Sequence, residues 1–482
     1  MKSLEEMSDY LNPILVKEVR QLFHSKQYLV LIATFMLGEL AVLYGIMLNY
    51  KDMDADTKEH LGEMAFAFQC VGMSLMVCLV SVFRTCQTFN SERLDKNLDY
   101  TRLCSITPFS VAIGKLTSSV VLMLVMVALI LPFMVISYFM RGISLQTMMI
   151  WLAILIPQYL VGIQVAVFIG AIGKRGAEVL LFLALVIILP IAISMSVSFA
   201  FMGHSPRIEQ VALVLGIIAV GLFSQAFAWT VAMISRNKSN IMFQPRLCAL
   251  AICILYPLLF LIMMAYGHTG FSFARRPEHA LMVLTMLMSM VILTIQLAFV
   301  FEREQPGTRV MAERPKRRLL RAVWFLLSSG RAGGISLSVL LLMLELAIVV
   351  AADLNLSLRL ESRSAVIISM YILFYCLFAV VLNRFFPKIN TILGFVISVA
   401  LWFILPAIAC GSYAIIEKLP DEAAFEYMFT TPLYILAKSD TALLLDKRFL
   451  VPFFMCVFLM ILLCKYIVVE FTHFIKDEEN EA

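Results

Sequence analysis

The chain has 482 residues, of which 61% are hydrophobic and 15% are charged, and its mean hydropathy is +0.92. Soluble domains are about 45–50% apolar and about 25% charged, so this composition excludes a soluble globular protein and predicts a polytopic membrane protein. The formal net charge is only +5, and no basic tract is interleaved with aromatic residues. Nucleic acid is therefore not an expected partner.

The first predicted element is a helix over residues 12–27 that lies in the membrane interface. Asn12 is a good cap and Pro13 suits the first helical position. Apolar residues gather on one side of this helix, and the other side carries Lys17, Glu18 and Arg20. An ordinary polar lead-in to the first span stays open as an alternative.

Residues 84–115 form a polar, helix-prone stretch between two apolar runs, 64–83 and 116–139. Each run is long enough to cross a bilayer, which takes about 20 residues. The stretch holds five basic residues, so it is predicted to face the cytoplasm. Asn90 or Ser91 is predicted to cap a short amphipathic helix there. Such a helix beneath the membrane is well shaped for contact with a soluble partner.

Twelve spans are predicted in an all-α transmembrane bundle, and roughly two thirds of the 38 Lys and Arg residues fall on one side of it. That bias predicts both termini in the cytoplasm. The predicted spans are 28–48, 64–83, 116–139, 148–172, 179–201, 210–233, 247–266, 280–301, 333–352, 365–382, 391–410 and 451–470.

The spans divide into two predicted six-span halves, 1–235 and 236–482. A Glu-Arg pair opens a basic cytoplasmic loop in each half, at 92–93 and at 302–303 within the loop 302–332. Chance recurrence of the pair competes with a true duplication. The longest outer loop, 411–450, is predicted to carry short amphipathic helices, either as in the family named below or as a structural lid.

Catalytic machinery is not visible in the chain. A phosphate-binding loop has a second glycine five positions before its Gly-Lys pair and a Ser or Thr after it. The Gly-Lys pairs at 114–115 and 173–174 have neither. His-Glu-x-x-His and Gly-x-Ser-x-Gly patterns are also missing. The ten cysteines include no Cys-x-x-Cys pair and lie mostly in apolar runs, as small core residues do. We expect no catalytic residue, no metal site and no cofactor in this chain.

Two acids, Glu39 and Glu345, fall inside apolar runs. A carboxylate at that depth costs about 2.5–3.5 kcal/mol on insertion scales and by default indicates function. A proton- or cation-coupled transporter would use such acids. The competing interpretation is that each is neutral or hydrogen-bonded to a Ser, a Tyr or the backbone.

Three short motifs resemble the first cytoplasmic loop of type-2 ABC exporter permeases: Ser91-Glu-Arg93, Leu103-Cys-Ser-Ile-Thr-Pro108 and Gly114-Lys115. The beginning of the chain, Asn12-Pro-Ile-Leu-Val-Lys-Glu-Val-Arg20, is similar to the beginning of many such permeases. The resemblance covers roughly residues 12–140 and is topological beyond that.

The resemblance implies the permease subunit of an ATP-driven exporter in the cytoplasmic (inner) membrane. ATP and Mg would bind to a separate ATPase subunit, which would be the main partner besides the lipid bilayer. Glu92 and Arg93 would contact that ATPase, and Thr107 with Pro108 would set the turn. The alternative for Glu92 and Arg93 is a solvated surface pair worth well under about 1 kcal/mol.

The same resemblance gives Gly114 a role in close packing of the third span and puts Lys115 at the lipid headgroups. Permeases of this family more often have six spans per chain, so the stoichiometry stays open, including a homodimer or a heterodimer with a second permease. The alternative function is an ion-coupled secondary transporter working through Glu39 and Glu345. Transport that survives loss of the ATPase but fails in Glu39→Gln would favour it.

Overall fold

The structure is a computed structural model in which every element among the described residues is a helix or a turn. The described residues are 13–24, 26–49, 61–77, 83–94, 107–140, 143–172, 208–235, 240–266, 277–302, 307–356, 360–388, 391–404 and 447–475. The chain divides into two compact units, Met1–Arg236 and Asn237–Ala482.

Helices of the first unit follow the apolar runs of the sequence. They are α1 (Pro13–Phe23), α2 (Lys26–Asn49), α3 (Leu61–Met76), α4 (Phe83–Leu94), α5 (Pro108–Phe139), α6 (Leu145–Ile172) and α7 (Ile208–Ile234).

Helices of the second unit include two short ones between longer ones. They are α8 (Phe243–Tyr266), α9 (Pro277–Phe301), α10 (Thr308–Ala312), α11 (Arg318–Leu327), α12 (Arg331–Leu356), α13 (Leu360–Phe385), α14 (Thr391–Val399) and α15 (Lys447–Ile475). A π-helical turn, Ala400–Ile404, extends α14.

Six helices in the described part of the chain are long and apolar enough to cross a membrane, which, with the composition, is typical of a helical membrane protein. They are Pro108–Phe139, Leu145–Ala171, Gly216–Ile234, Arg331–Ala351, Ala365–Phe385 and Leu450–Ile475. Shorter apolar segments occupy four further predicted spans: Ile32–Leu48, Phe243–Leu259, Leu284–Val300 and Leu393–Trp402. The predicted span 64–83 is described only in part, as the helix Leu61–Met76, and the predicted span 179–201 lies outside the described residues, so a total of twelve stays a prediction.

Each unit has a central helix that packs against four other long helices. In the first, α5 packs against α2, α3, α6 and α7. In the second, α12 packs against α8, α9, α13 and α15. A short helix also packs on the central one in each unit, α1 on α5 and α11 on α12.

The core of the first unit is made where α3, α4, α5 and α6 meet. Met73, Ile130 and Ile163 are fully buried there, and Trp151 and Cys70 pack into the same cluster. Seven described cysteines are free thiols, five of them buried. They fill space as small apolar residues do.

Several predicted boundaries differ from the structure. Within the predicted element 12–27, the structure has a helix over Pro13–Phe23 that does not continue to 27, and its place in the membrane interface stays a prediction. The helix in the 84–115 stretch runs over Phe83–Leu94, so Asn90 and Ser91 lie inside it and do not cap it. The third predicted span begins at Pro108 rather than at 116.

Candidate functional site: a charge cluster at the base of the central helix

The start of α5 is fixed by a local cap. Thr107 has an extended backbone, and its side-chain oxygen accepts a hydrogen bond from the Ser110 amide at 3.2 Å. Pro108 follows in the first helical position, where its missing N–H costs nothing. The Thr-Pro pair therefore fixes the residue at which α5 begins.

Two turns further along α5, Lys115 is almost fully buried, with 3% of its side chain exposed. Its ammonium group pairs with Glu18 of α1 and lies 2.5 Å from Oε2 of Glu92 on α4. Lys17 of α1 donates to the other oxygen of Glu92 at 2.9 Å. We call these four residues the N-terminal charge cluster, because they join α1, α4 and α5.

Hydroxyl groups complete the surroundings of the N-terminal charge cluster. Ser118 donates to Oε2 of Glu18 at 2.8 Å, and Thr85 of α4 donates to Ser119 of α5 at 2.8 Å. The ring of Phe89 lies 5.4 Å from the Lys115 ammonium nitrogen, within cation–π range. Burying an ion pair costs desolvation energy that only good geometry and extra hydrogen bonds offset. Here those bonds are present.

A small pocket adjoins the N-terminal charge cluster. Its volume is about 50 Å³, and its lining includes Arg84, Thr88 and Gln21. A water molecule needs about 10–15 Å³ of accessible volume, so the pocket has room for water beside the charged groups.

Burial raises the pKa of Glu92, but Lys115 and Lys17 outweigh that effect and hold the pKa below its ordinary value of 4.5. The depressed pKa means that the charged form contributes stability above pH 4.5 and that this contribution is lost as the pH falls through the lower, folded-state value. The contact between α4 and the other two helices should weaken only in acid.

This leads to a pH prediction for the protein in detergent micelles. Amide hydrogen exchange in α1 should stay slow from pH 7 down to about 5 and speed up at lower pH, after correction for the intrinsic exchange rate. Glu92→Gln should remove most of that acid step. Glu63→Gln, on α3, is the matched control and should keep it. An acid step of the same size in Glu92→Gln would contradict the assignment.

The structure brings together four residues that the sequence placed in two separate sites. Lys17 and Glu18 belong to the predicted interfacial helix, and Glu92 and Lys115 to the predicted coupling segment. Arg20 is exposed, and Gly114 is buried on α5. Asn12 and the side chain of Arg93 lie outside what the structure describes.

The resemblance puts Lys115 at the depth of the lipid headgroups, and that depth stays a prediction. The structure shows what the lysine contacts. The helix begins eight residues before 116, and Glu18, 97 residues away in sequence, supplies a carboxylate inside the protein. The lysine therefore faces protein partners.

A second charged cluster, which we call the Arg246 cluster, lies at the start of the central helix of the second unit. Arg246 of α8 is 1% exposed and donates to both oxygens of Glu302, at 2.6 and 2.5 Å. It also donates to the carbonyl groups of Leu326, Ser328 and Gly330. Arg331, the first residue of α12, donates to the Glu302 carbonyl oxygen at 2.9 Å.

Sequence reasoning missed most of the Arg246 cluster. Glu302 was singled out, but as the start of a docking loop, and its carboxylate is 3% exposed. The available signal was Gly330-Arg331, a glycine and a cation at the start of an apolar helix, as in Gly114-Lys115. Residues 303–306 of the predicted loop 302–332 lie outside the described residues, as do 411–446 of the outer loop.

The two acids of the predicted spans, Glu39 and Glu345, are both buried, each within its own unit. Glu345 of α12 accepts a hydrogen bond from Ser289 of α9 at 2.5 Å. Glu39 of α2 packs so closely on Gly72 of α3 that a methyl group there would overlap its carboxylate. One oxygen of each acid has no hydrogen-bond donor within the described residues. The hydrogen bond from Ser289 agrees with the competing interpretation given above, in which Glu345 is hydrogen-bonded to a serine.

An apolar pocket of about 360 Å³ lies between α12, α13 and α15, with Leu342, Met370, Met460 and Cys464 in its lining. Its volume is within the range of small-molecule sites. No charged residue lines it, so it offers volume without a group that would select a ligand.

No protein-family model, curated protein or solved structure matches this chain. The likeness to exporter permeases therefore rests on the residues quoted above.

Proposed function

We propose that this chain is the membrane subunit of an ATP-driven exporter of the type-2 ABC class, with ATP hydrolysed by a separate subunit. The observation that carries the proposal is the N-terminal charge cluster. The two segments that resemble the permease family, 12–20 and 91–115, are far apart in sequence, and their charged residues meet at Lys115. A shared role in transmitting movement from one helix to the next would explain why the chain has both segments.

The role of Glu92 is revised in this proposal. Its carboxylate is occupied by Lys115 and Lys17, so it acts inside the protein. Direct contact with the ATPase is left to Arg93 and to the exposed residues Gln87 and Ser91 of the same helix. A push on α4 would then reach α5 through the pair of Glu92 with Lys115, and α1 through Glu18.

A central long helix packed against four others in each unit supports the proposed duplication. The central helices α5 and α12 each carry a Gly-cation pair near their start, and the cation is buried in both cases. Each glutamate of the two Glu-Arg pairs contacts a buried cation. One chain with two such units would present two coupling segments. Association with a second permease, the cytoplasmic membrane as location and cytoplasmic termini remain predictions.

The first test of the proposed function is genetic and biochemical. We expect an ATPase reading frame beside this one, and we expect its product to purify with this chain after co-expression. Arg93→Glu should lower the recovery of the ATPase at least about tenfold, because reversal of an interfacial charge costs several kcal/mol. Recovery is measured as ATPase per membrane subunit after affinity purification.

Lys388→Glu is the matched control, since Lys388 is an exposed lysine in a turn of the second unit. It makes the same change of charge and should leave ATPase recovery unchanged. Equal recovery from both variants would remove residues 84–115 as the coupling segment. If no ATPase associates with the chain, the proposed function itself is contradicted.

A further inference from the structure

Helix α11 has an exposed apolar face. Leu319, Leu320 and Val323 are 78%, 48% and 43% exposed, and their spacing puts them on one side of the helix. Arg321 and Phe325, on the opposite side, are buried. A short helix that turns leucine and valine outward would be unfavourable in water. It is the arrangement of a helix that borders lipid.

The orientation of α11 is fixed by the end of α15. Arg321 donates to the carbonyl oxygen of Ile475 at 2.8 Å, and Arg314, just before α11, donates to that of Phe474 at 2.9 Å. The ring of Phe325 contacts those of Phe471 and Phe474 edge-on, at 5.2 and 5.5 Å between centroids. The outward direction of Leu319 and Val323 is thus a consequence of the packing.

Three consecutive basic residues precede this apolar face. Lys316, Arg317 and Arg318 are exposed, and no ion pair joins them to other described residues. Their position relative to the membrane follows from α12, which begins at Arg331, four residues after α11 ends. Because Arg331–Ala351 is long and apolar enough to cross a membrane, α11 lies at one end of a span.

We propose that α11 together with Lys316, Arg317 and Arg318 is a binding surface for anionic phospholipids. The apolar face enters the boundary of the acyl chains, and the three cations contact the headgroup phosphates. A soluble partner would account for the cations but not for the exposed leucines beside them. This surface is independent of the proposed exporter function, since any membrane protein could use it.

Lipid titration of the full chain in detergent, followed by native mass spectrometry, tests the proposal. The probes are phosphatidylglycerol, which is anionic, and phosphatidylcholine, which is zwitterionic. Each basic residue near an anionic surface is worth about fivefold in affinity. The triple variant Lys316→Gln, Arg317→Gln, Arg318→Gln should therefore lose at least about tenfold of its preference for phosphatidylglycerol. A variant with Arg317→Lys and Arg318→Lys should keep it.

The matched control removes three exposed lysines from other helices and turns, by Lys26→Gln, Lys388→Gln and Lys465→Gln. It changes the total charge equally and should keep the preference to within about twofold. Equal losses in the triple variant and in this control would overturn the proposal, because they would show a general charge effect.

Two other outcomes would also overturn it. Four acidic residues, Asp477, Glu478, Glu479 and Glu481, follow the end of α15, to which Arg321 and Arg314 are bound. If the preference for phosphatidylglycerol appears only after residues 476–482 are removed, that segment and not lipid covers the cations. If the triple variant keeps its lipid preference but no longer binds the ATPase, the surface belongs to the ATPase.

Discussion

Replacing Arg246 with alanine is expected to destabilise the second unit by about 3–5 kcal/mol, the usual cost of removing one partner of a buried ion pair. The reason is the charge left behind. Glu302 is 6% exposed and, besides Arg246, receives a hydrogen bond from the Gly330 amide at 2.9 Å. The carbonyl groups of Leu326, Ser328 and Gly330 lose their donor at the same time.

The measurement is the free energy of unfolding in mixed micelles, obtained by denaturant titration. Lys388→Ala is the matched control, because it removes an exposed cation of the same unit outside the proposed lipid-binding surface and should stay within about 0.5 kcal/mol of the wild type. If both variants unfold alike, the Arg246 cluster contributes nothing to stability.

A double variant separates the ion pair from the rest of the Arg246 cluster. Arg246→Met with Glu302→Leu removes both charges, so no unpaired charge remains buried. We expect it to be more stable than Arg246→Ala alone, with a coupling of about 1–3 kcal/mol between the two positions. The carbonyl groups that Arg246 serves stay without a donor, so full recovery is not expected.

How much of this arrangement the sequence predicts depends on whether the interaction is local. Thr107 and Pro108 act within one turn of α5, and a cap of this kind is a local feature of the sequence. The approximate positions of the long helices also follow from the sequence, because a run of apolar residues is a local signal. The beginning of α5 at Pro108 is not predicted, because residues 108–115 are assigned to the polar stretch before the apolar run at 116.

The pairing of residues that are distant in the sequence could not be predicted from the sequence. The sequence does not show that Lys115 pairs with Glu18, because the packing of α1 brings that carboxylate to it. In the sequence, Arg246 directly precedes the predicted span 247–266, and nothing there indicates its partner. The structure shows that Glu302, 56 residues further on, lies beside it. The residue types in both clusters are visible in the sequence, but the choice of partner depends on tertiary packing. The Gly-cation pairs 114–115 and 330–331 and the Glu-Arg pairs 92–93 and 302–303 are local patterns that recur in both units.

Gly333→Ala is expected to destabilise the second unit by about 2–3 kcal/mol, although alanine is the better helix former by about 1 kcal/mol. A methyl group at this position would overlap the carbonyl oxygen of Phe325. That oxygen belongs to the backbone of α11, so it cannot move aside as a flexible side chain would. The start of α12 and the end of α11 would have to separate.

Gly334→Ala tests the same junction through different neighbours. Its methyl group would lie 2.6 Å from Nη2 of Arg246 and 2.7 Å from Cβ of Phe299. The guanidinium group of Arg246 is bound to Glu302. If it moved away from the methyl group, hydrogen bonds of the Arg246 cluster would be lost. We expect a loss of similar size, and less than the sum of both effects when Gly334→Ala is combined with Arg246→Ala, because the two changes break the same contacts.

The matched control is Gly38→Ala in α2, where nothing lies within 4 Å of the added methyl group. It should leave the free energy of unfolding unchanged or raise it slightly, since only helix propensity changes. The sign of the effect is therefore expected to reverse between two chemically identical substitutions. A loss of stability in Gly38→Ala as large as in Gly333→Ala would show that glycine is needed for helix flexibility and not for close approach of α11 to α12.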